Sequence, residues 1–174
     1  MIRPNEFDLC LIENDIVYAS NTVLNNQWVG GLFAKVDINE REVLCDYTGI
    51  ILSPTEAKLS SSEYLFSVRD PKDMRRRKVV DGDPQKSSNI AAYANYSEHM
   101  YANAIFIDQT TKNATCKIVL VSKEFIPAGC EIRVDYDMGS STHPFRDSMI
   151  LKGIFDRNTS YKETIWNYPG RCQC

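Results

Sequence analysis

Short runs of branched and aromatic residues, each ended by turn formers, are the feature that most limits the folds open to this chain. Asp15 to Tyr18, Val43 to Tyr47, Tyr64 to Val68, Lys117 to Ser122 and Glu131 to Tyr136 all read as strands. Asn25-Asn26, Gly30-Gly31, Asp81-Gly82-Asp83-Pro84 and Pro127-Ala128-Gly129 break them apart. Many short strands at irregular spacing predict a mainly β fold of several small sheets. Helical signals are few. Ser53-Pro54-Thr55-Glu56-Ala57-Lys58-Leu59 reads as a helix start, with Ser53 as N-cap, Pro54 in the first turn and Glu56 completing a capping box. Met149, Ile150, Ile154 and Phe155 stand near helical spacing between Ser148 and Phe155.

The 174 residues suit one domain with a sizeable core. No apolar run reaches the ~18 residues of a membrane span, and acidic residues interrupt the first eight positions where a signal peptide needs an apolar core. An intracellular protein is the expectation, so the sequons at Asn95, Asn113 and Asn158 read as chance. A net charge of −3 weighs against direct nucleic-acid binding and is compatible with a basic peptide as partner. The basic run Arg75-Arg76-Arg77-Lys78 reads first as a solvated loop or strand edge, with a nuclear-import or nucleic-acid patch as the alternative. Of six cysteines, Cys10, Cys45, Cys116 and Cys130 sit among apolar residues and read as small buried hydrophobes; only Cys172-Gln173-Cys174 has ligand-like spacing. His99 and His143 read as surface-loop histidines.

Two segments stand out for chemistry: Asn89-Ile90-Ala91-Ala92-Tyr93-Ala94-Asn95-Tyr96-Ser97 and, some 35 residues on, Gly129-Cys130-Glu131-Ile132-Arg133-Val134-Asp135-Tyr136. Four further pieces precede or separate them: Trp28-Val29-Gly30-Gly31-Leu32-Phe33-Ala34, Asp46-Tyr47-Thr48-Gly49, Glu63-Tyr64-Leu65-Phe66 and Val79-Val80-Asp81-Gly82. Taken singly, each has an ordinary reading as a turn or as one face of a strand. Together, in this order over residues 28 to 137, they resemble the signature segments of the SET domain, the fold of most protein lysine methyltransferases.

The resemblance implies a mainly β fold with a knot-like threading of its C-terminal segments. The SET domain would span residues 1–137, with the family's variable insert in residues 53–90, and 138–174 would close the substrate channel. It further implies transfer of a methyl group from S-adenosylmethionine to a lysine side chain, with S-adenosylhomocysteine as product. Tyr136 falls on the family's catalytic tyrosine and Tyr47 on a tyrosine of the lysine channel. Trp28, Gly30, Gly31, Tyr64, Asn95, Tyr96 and Tyr136 fall on donor-binding positions. Tyr47, Phe66 and Val134 fall on the channel, and Trp166 is expected near its mouth. The chemistry suits these residue types: a narrow, dry tyrosine-lined channel desolvates an ammonium whose free pKa is about 10.4 and lowers it. No metal or acidic catalyst is required.

The sequence departs from the family pattern at several positions. Val29 replaces a glycine, Ala92 an arginine, Tyr96 a histidine and Glu98 a zinc-ligating cysteine. Cys172 and Cys174 alone cannot complete a four-coordinate zinc site, so no metal is expected. Valine at 134, where Phe or Tyr is common, predicts room for more than one methyl. The compact layout, similar to small viral and microbial members, points to a histone tail as substrate and to a nuclear or chromatin location. A SET-like binding module without catalysis and a methyltransferase of a non-histone protein are the competing readings. Oligomeric state is not legible in the sequence.

Overall fold

The computed structural model describes residues 13–24, 27–97 and 101–136, with 23, 24 and 27–29 described by backbone alone. The proposed helix at 148–155, Trp166, His99, His143, Cys10 and the Cys172/Cys174 pair lie outside the described residues.

The chain opens with a hairpin of two eight-residue strands, β1 (Val17–Leu24) and β2 (Gln27–Ala34), paired from Val17↔Ala34 to Leu24↔Gln27. Asn14 sets the start of β1: its Oδ1 accepts from the amides of Ile16 and Val17 at 2.8 and 2.7 Å, a turn that keeps Asp15 and Ile16 out of the ladder. The strand expected at Asp15 to Tyr18 thus begins two residues later and runs on through polar Ser20, Asn21 and Thr22.

Five more strands complete a seven-stranded sheet: β3 (Val43–Asp46), β7 (Asn95–Tyr96), β8 (Ala104–Asp108), β9 (Ile118–Ser122) and β10 (Glu131–Val134). The order is β1-β2-β10-β8-β9-β3, with β7 pairing to β10. β9 is buried at all five residues, as expected for a strand covered on both faces. A register shift between Val43 and Cys45 marks a bulge in β3. Leu32, Ile38, Leu44, Ile118, Leu120, Ile126 and Ile132 are all buried to within 2% and form the centre of the core. Each such side chain contributes about 1.5–3 kcal/mol of transfer free energy.

A second sheet has three strands in the order β4-β6-β5: β4 (Ile50–Leu52), β5 (Leu65–Arg69) and β6 (Arg77–Asp81). Between β4 and β5 lies the helix α1 (Pro54–Leu59), started as its sequence predicts: Glu56 N–H donates to the Ser53 hydroxyl at 3.2 Å and Ser53 N–H to the Glu56 carboxylate at 2.7 Å. None of its residues is buried. A 3-10 turn at Ile90–Tyr93 leads into β7.

Three expectations need correction. Gly30-Gly31 is not a turn but the middle of β2. Glycine at 31 answers to crowding, since a Cβ there would lie 2.9 Å from Thr22 Cγ2, 3.0 Å from Phe33 Cε2 and 3.2 Å from Glu131 Oε1. The strand expected through Tyr136 ends at Val134, because beyond it the chain leaves β7 and β8. Cys130, read as a small buried hydrophobe, is buried but disulfide-bonded. Cys45 and Cys116 are free, and burial first, then Asp46, pushes the Cys45 thiol up to about 12, so it stays protonated.

Candidate active site

Tyr47 follows the last residue of β3, at the seam of the two sheets. Its ring lies 5.2 Å from that of Phe106 on β8, edge on, and 6.0 Å from Phe66 on β5; Phe66 and Phe106 are 5.7 Å apart. One partner comes from each sheet, so this aromatic trio fastens them together. The Tyr47 hydroxyl donates to the Tyr64 carbonyl at 2.8 Å, and Gly82 N–H donates to the same oxygen at 2.8 Å. A Cβ on Gly82 would stand 2.4 Å from the Tyr47 ring and 2.4 Å from Asn89 Nδ2, so only glycine admits this approach. Asn89, buried, then donates from Nδ2 to the Gly82 carbonyl at 2.8 Å and accepts from Thr48 N–H at 3.3 Å. Four of the sequence pieces therefore converge on one hydrogen-bonded unit: Tyr47 to Gly49, Tyr64 to Phe66, Asp81-Gly82, and the start of the Asn-rich segment.

The remaining segments meet through backbone pairing. β10 runs parallel to β7, with Arg133 opposite Asn95 and Val134 opposite Tyr96, and Ser97 N–H donates to the Val134 carbonyl at 2.9 Å. Past Val134 the chain turns, and Tyr136 swings out of the strand alternation. Its hydroxyl donates to the Ala94 carbonyl at 2.5 Å, and its ring lies 5.7 Å from that of Tyr96. Tyr136 is within electrostatic reach of Tyr47 and Tyr64, which ties the two halves of the site together.

The phenols are held neutral. Burial is the main cause for Tyr136, with Tyr47 and Tyr64 adding to it, and both push its ionisation well above the ordinary tyrosine range. Burial, then the Asp81 carboxylate, does the same for Tyr47. Burial also raises Tyr64, which Asp83 and Glu63 raise further, and Tyr93. The cluster presents hydroxyl dipoles and no phenolate base. Such a set can orient and desolvate a cationic or nucleophilic group.

Beside it, Asn95 has both amide protons engaged. Nδ2 donates to the Gly30 carbonyl at 3.0 Å and to Glu131 Oε1 at 3.0 Å. This fixes which way the amide faces and leaves Oδ1 without a donor among the described residues. Glu131 is held by a bidentate ion pair with Arg133, both side chains 10% exposed, while Asn103 donates from Nδ2 to the Glu131 carbonyl at 2.9 Å. Glu131, Arg133 and Asn103 were not singled out from the sequence. Alternation along β10 was the available signal, since it puts Glu131 and Arg133 together on the face away from Ile132.

The structure thus brings Tyr47, Tyr64, Phe66 and Tyr136 into one cluster and Gly30, Asn95 and Tyr96 beside it. Gly31 packs against Thr22, Phe33 and Glu131. Val134 is 1% exposed and belongs to the core cluster. Trp28 is placed by its backbone opposite Val23. A groove of about 680 Å³ lies next to Tyr93, lined also by Glu13, Lys86, Asn89 and Ile90. Among the described residues, no group of three or more His, Cys, Asp or Glu side chains could hold a metal ion.

Similarity to solved structures agrees with this geometry. The crystal structure of the Chaetomium thermophilum polycomb repressive complex 2 contains a chain that matches with a TM-score of 0.57 at 23% identity, over 74% of this chain and 16% of that one. A humanized mutant of the same complex, bound to the inhibitor GSK126, matches with a TM-score of 0.53 at 23% identity, over 72% and 15%. This chain therefore spans about one sixth of the length of those it matches. At that identity the likeness is one of fold. The family model described as SET domain matches residues 30–137, from the glycine strand to the residue after Tyr136. This protein belongs to the SET-domain family.

Proposed function

We propose that this protein is a protein-lysine N-methyltransferase that uses S-adenosylmethionine, with a histone tail as substrate. The observation that carries the reading is the convergence of neutral Tyr136, Tyr47 and Tyr64 beside an Asn95 amide with an open acceptor. Bound S-adenosylmethionine supplies an electrophilic methyl on a positively charged sulfonium. The residues present fit such a ligand: Asn95 Oδ1 suits an α-ammonium group, and the Glu131 carboxylate, itself paired with Arg133, holds the Asn95 amide in place. Gly30, Tyr96 and Trp28 stand on the same strands and would complete the donor site.

The chain's own residues then act on the lysine. Phe66, Phe106 and the Tyr47 ring exclude water from the channel, which favours the uncharged amine. Tyr136 and Tyr47 orient that amine through their hydroxyls. Because burial keeps both phenols protonated far above neutral pH, neither competes as a nucleophile. Val134 behind Tyr136 removes bulk where Phe or Tyr is common, which favours more than one methyl per lysine. Residues 138–174 would close the channel, with Trp166 or Tyr168 near its mouth.

Incubation with a histone panel and labelled donor tests the reading. Wild type should label a histone lysine, Tyr136→Phe should lose transfer while donor binding by calorimetry persists, and deletion of 159–174 should abolish transfer. Donor binding by wild type without transfer to any protein would favour the binding-module reading. A product series stopping at monomethyl-lysine would remove the role given to Val134.

A further inference from the structure

The basic run found in the sequence lies outside the site above. It falls on the hairpin that joins β5 to β6, whose strands pair up to Arg69↔Arg77. A second loop lies against it. Arg69 N–H donates to Asp108 Oδ2 at 2.9 Å, Asn113 N–H donates to the Pro71 carbonyl at 2.8 Å, and Cys116 is within electrostatic reach of Asp70, Asp108 and Lys78. Residues 69–78 and 108–117 thus form one surface. They hold eight Lys and Arg against three Asp, a charge of +5 in a chain of −3, so the remainder carries −8.

The carboxylates are also committed to the backbone of the loops. Asp70 accepts from Lys72 N–H, Asp73 from Arg75 N–H, and Asp108 from the amides of Arg69 and Thr110. The three carboxylates thus shape the loops. Side chains of Asp70 and Asp108 are 12% and 16% exposed and that of Asp73 47%, against 34% for Lys78, 61% for Arg77 and 78% for Arg76. Lys72 and Arg75 are exposed and carry no ion pair among the described residues.

We propose that this two-loop surface is a binding site for the phosphate backbone of duplex nucleic acid. Arginine predominates in the hairpin, and its planar fork matches phosphate oxygens two at a time. The large exposed hydrophobic side chains of the described residues all lie outside the two loops. The surface therefore lacks the aromatic anchors that protein interfaces use and the stacking platforms that hold single strands. Backbone contacts without base readout give salt-dependent, sequence-independent binding.

Fluorescence anisotropy of a labelled 20-base-pair duplex with the full chain tests this between about 50 and 200 mM salt. We expect micromolar binding at low salt that weakens steeply as salt rises. The triple variant Lys72→Gln/Arg75→Gln/Arg76→Gln should bind at least about tenfold more weakly, with a salt slope smaller by about two to three. Its melting temperature should be unchanged, and Lys58→Gln, on α1, should bind like wild type. Equal binding by the triple variant, tighter binding of the single strand, equal competition by a poly-glutamate peptide, or no binding at 50 mM salt would each overturn the proposal. The binding assay requires no methyl transfer, so its outcome is independent of the enzymatic reading.

Discussion

The two sheets are held by different forces. The seven-stranded sheet is fastened by burial: β9 has no exposed residue, and β2, β3 and β10 supply Leu32, Leu44 and Ile132. The three-stranded sheet leaves Ile50, Ile51 and Leu65 about 37–52% exposed and its helix wholly unburied. Val68, Val80 and Phe66 tie that sheet to the core, and polar clasps hold its outer part. Lys86 Nζ reaches Asp81 at 3.0 Å and Asp83 at 3.3 Å, the Ser62 hydroxyl donates to Asp81 at 2.5 Å, and α1 depends on its capping box. The large sheet carries Tyr136; the small one supplies Phe66 and, from the turn after β6, Gly82. The site lies where a rigid framework meets a polar-fastened flap. The difference teaches that framework changes should register in stability and flap changes mainly in geometry at the site.

The sharpest stability contrast is between Leu120 and Ile51. Leu120→Ala should cost about 2–5 kcal/mol in urea unfolding, because Leu120 is fully buried. Ile51→Ala, at 52% exposure, should cost under about 1 kcal/mol. Equal costs would break the comparison. Tyr136→Phe should leave unfolding nearly unchanged and reduce transfer about 10²–10³-fold, the usual loss on removing one positioned donor. The rate should also rise with pH as the substrate amine deprotonates. No decline from tyrosine ionisation is expected below about pH 10, because both phenols titrate above the ordinary value.

Asp81→Asn probes the flap directly. Burial raises the Asp81 carboxyl, but the hydrogen bonds from Ser62, Lys86 and Asp83 N–H together outweigh burial and leave it below the ordinary 3.8. A lowered carboxylate pKa stabilises the fold above that value, and the contribution fades as pH falls through the folded-state pKa. The gap between wild type and Asp81→Asn should thus be about 1–3 kcal/mol at pH 7 and shrink below pH 4. A gap that widens in acid would reverse the assignment. The smallest effect belongs to Ser53→Ala, about 0.5–1 kcal/mol of local helix stability, read by hydrogen exchange in 54–59 with little change in global unfolding.

Much of the fold was legible because local signals agreed with the final packing. The α1 capping box follows from Ser53, Pro54 and Glu56 alone. The strands at 43–46, 65–69 and 118–122 follow from branched and aromatic runs. The misjudged glycines illustrate the limit. Gly30-Gly31 has the local chemistry of a turn, yet the crowding at Gly31 comes from Thr22 across the hairpin, from Phe33, and from Glu131 a hundred positions away. Likewise β8 was missed, because Ala104–Asp108 becomes a strand through its five-residue pairing with β9. At the candidate site, motif order pointed to Tyr47, Tyr64, Phe66, Asn95 and Tyr136, which the fold brings near one another. Their hydrogen-bond partners, Glu131 for Asn95 and the Ala94 carbonyl for Tyr136, are set by contacts across 36 and 42 positions.

Residue type and order along the chain were enough for the class of fold and the family motifs. Tertiary structure alone decided that β10 runs beside β7, that Tyr136 turns out of its strand toward Ala94, and that the Asn95 amide is held by Gly30 and Glu131. It also decided that a chain of net −3 gathers +5 on two adjoining loops. Net charge sums over the whole molecule, whereas a binding surface depends on which charges folding exposes together and which it commits to shaping the backbone.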